Sequence, residues 1–374
     1  MHIDILFLTL RIFSATGGIE KVGKVVCKAL TDLSAGNQLG QLAVYSMYDE
    51  TNEADEKYIS KAIFKGFGQR KFQFVTASVK EGCATQVVIL SHINLLVIGY
   101  LIKLFSPHTK LILIAHGIEV WEPLNVFKKQ MLKKCDKILC VSEFTRQKIA
   151  HLFTQPMENL LVLNNCLDPF LLPEQNESKD EKLLSKLGFS NTDVVLMTLT
   201  RLSSKDLYKG YDQVLESIYL LKADYPSIKY LIVGKYDADE KQRIDRIVER
   251  LSLQQQVVFT GYIPDKELSR HYHVADLYIM PSKKEGFGIV FIEAMLYGLP
   301  VIAGNKDGST DALLQGRLGV LIDPDNQEAI TEAIKRVLLN TVAYRPNRQL
   351  LMQHFGFDIY KQQLQTILEE VTRS

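Results

Sequence analysis

Short apolar segments alternate with longer amphipathic segments along almost the whole chain. The apolar runs are four to six residues long and rich in Ile, Leu and Val, which is typical of strands buried on both faces of a parallel sheet. The amphipathic segments between them have the length of crossover helices. The pattern therefore predicts an α/β protein built from repeated strand–helix units.

The alternation predicts six strands in each half of the chain. Those of the first half are Ile3–Leu8, Leu42–Ser46, Val87–Leu90, Leu111–Ala115, Lys137–Val141 and Leu160–Leu163. Those of the second half are Val194–Leu199, Tyr230–Val233, Val257–Thr260, Leu277–Pro281, Pro300–Ala303 and Gly319–Ile322.

Helices are predicted between these strands and at the end of the chain. In the first half they are Ile19–Ser34, His92–Phe105, Phe127–Lys134 and Glu143–Leu152. In the second half they are Tyr211–Asp224, Asp239–Leu251, Asp265–Val274, Gly288–Tyr297 and Glu328–Leu339, followed by Phe357–Glu370.

The length of 374 residues exceeds what one ordinary hydrophobic core supports, which favours two domains. Residues 169–186 are polar, with a run from Pro173 to Asp180, and are predicted as a linker. We accordingly expect an N-terminal α/β domain over 1–168 and a C-terminal α/β domain over 187–356.

Composition and charge exclude several classes of protein. The net charge of +1 argues against a dedicated nucleic-acid-binding protein. Residues 1–165 carry 19 Lys and Arg against 14 Asp and Glu, a net +5, whereas residues 166–374 carry 25 against 29, a net −4. The five cysteines are scattered along the chain. We interpret them as reduced, buried thiols of a cytoplasmic protein.

Two apolar segments, the N-terminus and Val87–Phe105, are candidates for a signal peptide and for a membrane span, and neither fits. The N-terminus has no basic leader and no small-residue cleavage site, so we interpret it as a first strand and not as a signal peptide. The longest apolar stretch, Val87–Phe105, contains His92, Asn94 and Lys103. It is therefore predicted to be a buried strand and a helix, not a transmembrane segment.

The most informative segment runs from Pro281 to Gly304. Two carboxylates, Glu285 and Glu293, are eight residues apart, and a turn containing Gly286 and Gly288 separates the first from a helix. Backbone N–H groups of such a turn and helix start can bind an anion. Carboxylates on either side of it can accept hydrogen bonds from hydroxyl groups. An anion flanked by hydroxyls is the shape of a sugar nucleotide.

A second segment, Thr200–Asp212, follows the first strand of the second half. Arg201 offers a planar fork of donors, and Lys205 and Lys209 each offer a point charge, all suited to phosphate oxygens. Ligands of doubly wound sheets bind at the carboxyl ends of the strands, so we expect this segment to lie near Glu285. Both lysines are candidates for this role, and Gly210 and a predicted helix follow Lys209 directly.

Two weaker signals lie in the first half. Gly17 and Gly18 follow the first strand and precede a helix, without the spacing of a dinucleotide or Walker fingerprint. His116 ends the predicted strand Leu111–Ala115, where a histidine is either structural or functional.

Together these segments resemble those of glycosyltransferase family 4, which comprises retaining enzymes of the GT-B architecture. The resemblance is to the members that act in bacterial polysaccharide synthesis. The resemblance covers nearly the whole chain and is more specific in the second half. It implies two facing Rossmann-like domains with parallel sheets and a cleft between them, with a C-terminal helix, 357–374, crossing back to the first domain. It also implies an acceptor-side first domain and a donor-binding second domain.

The resemblance further implies roles for individual residues. His116 and Glu285 would contact the transferred sugar, Arg201 and Lys209 the donor diphosphate, and Glu293 the ribose. Gly17 and Gly18 would reach the donor phosphate, as would backbone N–H groups near Gly286, Phe287, Gly288 and Ile289. The base would contact the loops at Gly234 and at Tyr262 and Ile263.

The function predicted on this basis is transfer of a hexose from a nucleoside diphosphate sugar to a hydroxyl of a saccharide or lipid-linked glycan. UDP-glucose is favoured as donor and GDP-mannose is next. Two alternatives remain open, a sugar-nucleotide 2-epimerase of the same fold and a non-catalytic sugar-nucleotide-binding subunit of a polysaccharide-assembly complex.

No cofactor or metal is expected. The motifs Asp237-Ala238-Asp239 and Asp323-Pro324-Asp325 imitate a metal-binding DxD sequence, but they suit turns before helices, and the cations at Arg201 and Lys209 already neutralise the leaving group.

A basic amphipathic run is the remaining feature. Its five lysines are Lys128, Lys129, Lys133, Lys134 and Lys137. They either form a solvated helix face or contact anionic lipid. The second interpretation predicts a cytoplasmic protein that is peripheral on the inner face of the membrane.

Overall fold

A computed structural model describes residues 3–36, 38–122, 124–153, 156–173 and 179–373. The chain divides into two compact units. The first unit ends at Phe170 and includes the C-terminal segment from His354, and the second unit is Leu171–Gln353.

All the ladders in both sheets are parallel. The first unit contains β1 Ile5–Thr9, β2 Leu42–Ser46, β3 Phe64–Gly66, β4 Val87–Leu90, β5 Lys110–Ala115, β6 Lys137–Cys140 and β7 Leu160–Val162. The second unit contains β8 Val194–Leu199, β9 Ile228–Val233, β10 Val257–Gly261, β11 Leu277–Met280, β12 Val301–Gly304 and β13 Val320–Ile322.

Helices connect the strands of each unit. The first unit has α1 Gly18–Ala35, α2 Lys71–Ala84, α3 Leu96–Phe105, α4 Ile118–Trp121, α5 Val126–Leu132 and α6 Glu143–Phe153. The second has α7 Glu181–Lys186, α8 Tyr211–Leu221, α9 Ala238–Arg250, α10 Asp265–Val274, α11 Ile289–Leu296, α12 Ser309–Ala312 and α13 Gln327–Leu339. Then α14 Arg348–Phe355 spans the boundary and α15 Phe357–Arg373 belongs to the first unit.

The strand order of each sheet reverses once. The first sheet is ordered β3-β2-β1-β4-β5-β6-β7 and the second β10-β9-β8-β11-β12-β13. Because parallel crossovers are right-handed, helices on the two sides of the reversal cover opposite faces of the sheet. The reversal leaves a crevice at the carboxyl ends of β1 and β4 in one unit and of β8 and β11 in the other.

The C-terminal segment packs within the first unit, where α15 contacts α1. The Leu167 N–H donates to the carbonyl of Phe355 at 2.9 Å, and Lys361 lies 3.9 Å from Asp32. These contacts associate the end of the chain with the first sheet.

The segment predicted as a linker, 169–186, contains part of the second unit. Helix α7 begins after Asp180, whose side chain accepts a hydrogen bond from the Leu183 N–H at 3.0 Å. Asp180 also pairs with Arg270 of α10 at 2.6 Å. Residues 174–178 of the polar run lie outside the described residues, whereas the end of the segment, from Glu181, forms α7.

The sequence pattern does not predict β3, α2 or the one-turn helix α4 of the first unit. Strand β3 is a three-residue edge strand, and its central Lys65 is exposed. Helix α2 buries only Phe74, Ser78 and Gly82 while exposing Phe72, so it has no continuous apolar stripe. The predicted helix His92–Phe105 also starts late, since Ile93–Leu95 is a 3-10 turn before α3.

The five cysteines are free, and four of them are buried. Burial raises the pKa of Cys140 to about 12, so its thiol stays protonated at neutral pH and acts as a small apolar side chain.

Candidate functional site

The crevice of the second sheet brings together the two strongest sequence motifs. Lys209 follows β8 and Glu285 follows β11, the two strands at which the strand order reverses. The Lys209 ammonium pairs with the Glu285 carboxylate, and the two side chains are only 16% and 14% exposed. Residues separated by 76 positions in the sequence therefore form one half-buried charged pair at the carboxyl edge of the sheet.

Close backbone contact fixes this pair. Gly210 has a φ of 85°, and a Cβ there would lie 2.3 Å from the carbonyl oxygen of Pro281. The Lys283 N–H donates to the carbonyl of Tyr208 at 2.9 Å. Lys209 thus lies directly against the Glu285 loop. Lys205, which is on the same β8–α8 loop as Lys209, is exposed. Of the two lysines, Lys209 is the one in contact with Glu285.

Buried hydrogen bonds also fix the start of α8. Tyr211, its first residue, donates through its hydroxyl to Glu240 of α9 at 2.5 Å. Arg243 donates to Glu240 at 2.8 and 2.7 Å and to Asp212 at 2.8 Å. Sequence reasoning missed this network because its members come from two helices whose packing no local motif reveals.

Arg201 lies on the same loop as Lys209 but points toward a different partner. Its Nε and Nη2 atoms donate to Asp206 at 3.1 and 2.5 Å, and Asp206 raises the pKa of the guanidinium. The Tyr208 hydroxyl donates to the other Asp206 oxygen at 3.0 Å. Arg201 is 70% exposed, so the part of its guanidinium that does not contact Asp206 is accessible to solvent.

The glycine turn after Glu285 leads straight into α11. Gly288 has a φ of 83°, and a Cβ there would lie 2.4 Å from the ring of Phe291. Phe287 is buried beneath the turn, and Ile289 is the first residue of the helix. The N–H groups of the first turn of a helix have no intrahelical partner, which favours an anion at this position.

Glu293 is enclosed inside α11 and only 4% exposed. The hydroxyl of Tyr272 donates to its carboxylate at 3.1 Å, and the Tyr272 ring stacks on Tyr297 with centroids 4.8 Å apart. Burial and then the Glu293 charge raise the pKa of Tyr272. A ribose contact by Glu293 stays a prediction, and Tyr272 is a partner that the sequence motif did not indicate.

Asp307 braces the Glu285 loop from the end of β12. Its buried carboxylate accepts from the N–H of Glu285 at 2.7 Å and from the N–H of Ser309 at 2.9 Å. The next residue, Gly308, donates its N–H to the Glu285 carbonyl at 2.8 Å. A Cβ on Gly308 would lie 2.1 Å from the carbonyl oxygen of Gly286. Asp307 and Gly308 therefore hold the backbone that carries Glu285.

Titration of Asp307 yields a testable pH dependence of stability. Burial, and then the charge of Glu285, raises the pKa of Asp307 to about 7. A carboxyl group whose pKa rises on folding contributes stability that is complete below its unfolded pKa of about 4 and is lost as the pH rises through 7. The Asp307→Asn variant lacks this titration, so we expect the substitution to cost more stability at pH 5 than at pH 8. Between pH 5 and 7, the loss of unfolding free energy caused by Asp307→Asn should become smaller by up to about 1.4 kcal/mol per pH unit. Calorimetric melting at each pH measures this loss.

Asp325→Asn is the matched control for this experiment. Lys283 and Lys306 lower the pKa of Asp325 to about 2, so its carboxylate is ionised at both pH values. The cost of its substitution should therefore be the same at pH 5 and pH 8. If the stability lost in Asp307→Asn were also the same at both pH values, the raised pKa assigned to Asp307 would be contradicted.

The loops expected to contact a nucleotide base also meet at this edge. Gly234 has a φ of 137°, and a Cβ there would lie 1.9 Å from the carbonyl oxygen of Thr200. Its N–H donates to the carbonyl of Gly261 at 3.0 Å. Tyr262 is exposed, with the Lys235 ammonium 4.7 Å from its ring centroid, and Ile263 is half-buried beside it. The ends of β8, β9 and β10 thus form one continuous rim.

The first unit has its own crevice, and Asp49 organises the loop that enters it. The buried Asp49 carboxylate accepts from the N–H groups of Ile12 at 2.7 Å and Ser14 at 2.8 Å and from the Ser46 hydroxyl at 2.7 Å. This loop leads to Gly17, the residue before α1. Asp49 lies more than 30 residues away, so no local motif indicates its role.

The two glycines at the start of α1 have different surroundings. A Cβ on Gly17 would lie 2.5 Å from a carboxylate oxygen of Glu20, whereas a Cβ on Gly18 would meet nothing within 4 Å. The Glu20 carboxylate is the flexible end of a side chain that can move aside, and the Gly17 backbone is extended, with a φ of 177°, so this contact does not by itself require a glycine at position 17. Nothing in the described surroundings of Gly18 requires a glycine there.

His116 lies at the carboxyl end of β5 and is half-buried. Its Nε2 atom is 2.8 Å from the carbonyl oxygen of Ser91. Since a carbonyl only accepts, Nε2 carries the hydrogen, which leaves Nδ1 as an acceptor when the ring is neutral. Thr9, Arg11, Ser91 and His116 line one pocket at this edge, so His116 belongs to the crevice of the first sheet.

Three of the four aspartates in the motifs that imitate metal sites have partners in the fold. Lys306 pairs with Asp323 at 2.6 Å and with Asp325 at 2.7 Å, and Lys283 also pairs with Asp325. Asp237 caps α9 by accepting from the Glu240 N–H at 2.8 Å and accepts from the Ser204 N–H at 3.0 Å. Within the ranges that the structure describes, no three His, Cys, Asp or Glu residues are grouped as a metal site.

Comparison with known proteins gives a family match in the second unit. Residues 179–350 match the family described as glycosyl transferases group 1. A GDP-mannose-dependent alpha-(1-6)-phosphatidylinositol monomannoside mannosyltransferase from Mycolicibacterium smegmatis is 30% identical over 60% of this chain. The chain spans 59% of that relative's length. An O-antigen chain mannosyltransferase B from Escherichia coli is 27% identical over 56% of this chain and 53% of its own.

A solved structure extends the likeness of fold to the whole chain. Anabaena HepE in complex with UDP-glucose superimposes with a TM-score of 0.81 and 20% identity, covering 99% of this chain and all of that one. The fold of two Rossmann-like units with parallel sheets is thus the predicted GT-B fold. The family match covers less than half of the chain and lies entirely within the second unit.

Proposed function

We propose that the protein is a retaining hexosyltransferase that uses a nucleoside diphosphate sugar as donor. The observation that carries the proposal is the half-buried Lys209–Glu285 pair beside the glycine turn that opens α11. A cation and a helix start suit the diphosphate, and a carboxylate suits the hydroxyls of the sugar. The acceptor is a hydroxyl of a saccharide or lipid-linked glycan, used in polysaccharide synthesis.

The donor is one of two sugar nucleotides. Sequence reasoning favours UDP-glucose, and the HepE complex contains that compound, but a likeness at 20% identity concerns the fold. The named mycobacterial relative uses GDP-mannose at 30% identity, which gives GDP-mannose at least equal weight. In either case the base would lie on the rim formed by Gly234, Tyr262 and Ile263, and the ribose near Glu293.

The reaction proposed is substitution on one face of the sugar. The bond from the anomeric carbon to the phosphate oxygen breaks, and a bond from that carbon to the acceptor oxygen forms. The acceptor proton passes to the departing diphosphate, so that the anomeric configuration is retained. Lys209 and the exposed Arg201 would stabilise the negative charge that grows on the leaving group, without a metal ion. His116, with an acceptor nitrogen at Nδ1, would contact the sugar near the reacting carbon.

A transfer assay tests this proposal and its alternatives. Purified protein is incubated with UDP-glucose or GDP-mannose, with and without a saccharide or glycolipid acceptor mixture, and release of nucleoside diphosphate is followed. Transfer that requires acceptor, retains the anomeric configuration by proton NMR and persists in EDTA is the expected result. Isomerisation of the donor without acceptor would favour the epimerase, and binding without any turnover would favour the non-catalytic subunit.

Gly18→Ala tests the contribution of the first unit to donor binding. A Cβ at this position meets nothing within 4 Å, and alanine favours the helix, so we expect the melting temperature to stay the same or rise slightly. If the donor phosphate approaches this backbone, the methyl group should weaken donor affinity about tenfold, on the order of 1.4 kcal/mol. Unchanged affinity would remove Gly18 from the donor site.

A further inference from the structure

Helices α3 and α5 lie side by side on the first sheet and run in the same direction. At their starts, the Lys128 ammonium donates to the Asn94 side chain at 2.9 Å. Near their ends, Lys103 pairs with Asp136 at 2.7 Å. Because β4 and β5 precede these helices, both begin at the carboxyl edge of the sheet, the edge at which His116 lies.

The outer surface of these two helices is unusually apolar. Val97, Tyr100 and Leu104 are spaced three and four residues apart and form one stripe along α3. The apolar face, as we define it, consists of this stripe together with Phe105, Val126 and Phe127. Its side chains range from 36% exposed at Tyr100 to 76% exposed at Phe127. Contiguous large apolar side chains on a protein surface indicate a binding site.

Lysines border the apolar face, and the structure separates them into two kinds. Lys137 donates to the carbonyl of Glu158 at 2.7 Å and Lys128 to Asn94, so both have partners in the fold. Lys133 and Lys134 are exposed. Among the residues that the structure describes, no carboxylate pairs with Lys129, Lys133 or Lys134.

We infer that the apolar face and these lysines form a docking surface for a bilayer that contains anionic lipid. Aromatic and aliphatic side chains enter the region between headgroups and acyl chains, while adjacent lysines bind the negative surface. The first half of the chain has a net charge of +5 over residues 1–165, which is opposite in sign to the charge of an anionic lipid surface. In the described ranges no helix is both long and apolar enough to cross a bilayer.

The position of the surface has a consequence for substrate access. Its carboxyl-edge end, at Val97, Val126 and Phe127, lies on the same edge of the first sheet as His116. A bilayer docked there would lie beside the crevice of this sheet. A glycan carried on a lipid would then reach the crevice without leaving the membrane. The docking itself does not depend on the proposed transfer reaction.

Vesicle sedimentation tests the docking with the full chain. Vesicles of phosphatidylcholine alone are compared with vesicles in which about a third of the lipid is phosphatidylglycerol. We expect binding to the anionic vesicles that weakens with added salt, and at least tenfold weaker binding to phosphatidylcholine. Leu104→Asp/Phe127→Asp should weaken anionic-vesicle binding at least tenfold, and Lys133→Glu/Lys134→Glu by a similar factor.

Variants of the second unit serve as matched controls. Leu339→Asp/Val342→Asp changes two residues as exposed as those of the apolar face, and Lys182→Glu/Lys266→Glu reverses two exposed lysines. Both should bind vesicles like the wild type. Equal loss in the control variants would overturn the proposal, as would wild-type protein that does not sediment with either vesicle. A doubled mass in light scattering that is abolished by Leu104→Asp/Phe127→Asp, without vesicle binding, would instead assign the face to a second copy of the chain.

A fluorescence measurement gives a readout that does not depend on loss of function. Phe127→Trp keeps an aromatic side chain at the most exposed position of the apolar face. Its emission should shift to shorter wavelength on addition of anionic vesicles and be quenched by brominated lipid. Emission unaffected by the vesicles would place Phe127 outside the bilayer and contradict the proposal.

Discussion

Replacing Glu285 by alanine is expected to lower kcat/KM for transfer by a hundredfold or more, on the order of 3 kcal/mol or above. Glu285 is the carboxylate that the glycine turn places beside Lys209, and its backbone is held on both sides by Asp307 and Gly308. A carboxylate fixed in this way would hold the sugar hydroxyls in one orientation, and loss of a positioned charged partner is costly. Steady-state kinetics with saturating acceptor gives the number.

Two comparisons show whether the loss belongs to the reaction. Asp323→Ala removes a carboxylate that follows β13 and pairs with Lys306, and it should retain most of the activity. The melting temperature of Glu285→Ala should stay within a few degrees of the wild type, since Lys209 remains partly exposed to solvent. A near-wild-type rate for Glu285→Ala would refute the role of this residue.

The second large effect is expected for Lys209→Ala, which should weaken binding of the nucleoside diphosphate about a hundredfold. A half-buried ammonium is only partly screened by water, so its interaction with a diphosphate is worth on the order of 3 kcal/mol. The substitution also leaves Glu285 without its cation, and that carboxylate would repel the incoming phosphates. Calorimetric titration with the free diphosphate measures the change directly.

Lys205→Ala is the matched control, because Lys205 lies four residues away on the same loop and is exposed. Surface charges contribute little, so its affinity should fall by no more than a few fold. Equal losses for the two variants would mean that the net charge of the loop, and not the position of Lys209, attracts the nucleotide. A larger loss for Lys205→Ala would reverse the assignment between the two lysines.

The alternation of apolar and amphipathic segments predicts the central strands and the loops at their carboxyl ends well. Uninterrupted apolar runs such as Leu277–Met280 locate the central strands, and strand carboxyl ends locate the loops of Lys209 and Glu285. The edge strand β3 and helix α2 have no such run or stripe, so the pattern passes over them. Their positions depend on contacts with the rest of the first sheet.

The residues that hold the candidate site are harder to predict from the sequence. Asp307 and Asp49 act through hydrogen bonds to backbone N–H groups of other loops, and no residue type or spacing identifies that geometry in advance. Tyr272 reaches Glu293 from a different helix. The sequence therefore indicates which side chains could contact a ligand, while the fold is needed to find those that fix them in place.

The most direct test of the central claim is calorimetric titration of the wild-type protein with UDP, GDP and ADP, each followed by its hexose conjugate. We expect one diphosphate to bind with micromolar or tighter affinity, roughly −8 kcal/mol, and its base to identify the donor as UDP-glucose or GDP-mannose. Absence of binding by every nucleotide would mean that the Lys209–Glu285 pair is a structural ion pair at the edge of an α/β sheet, and the glycosyltransferase proposal would have to be abandoned.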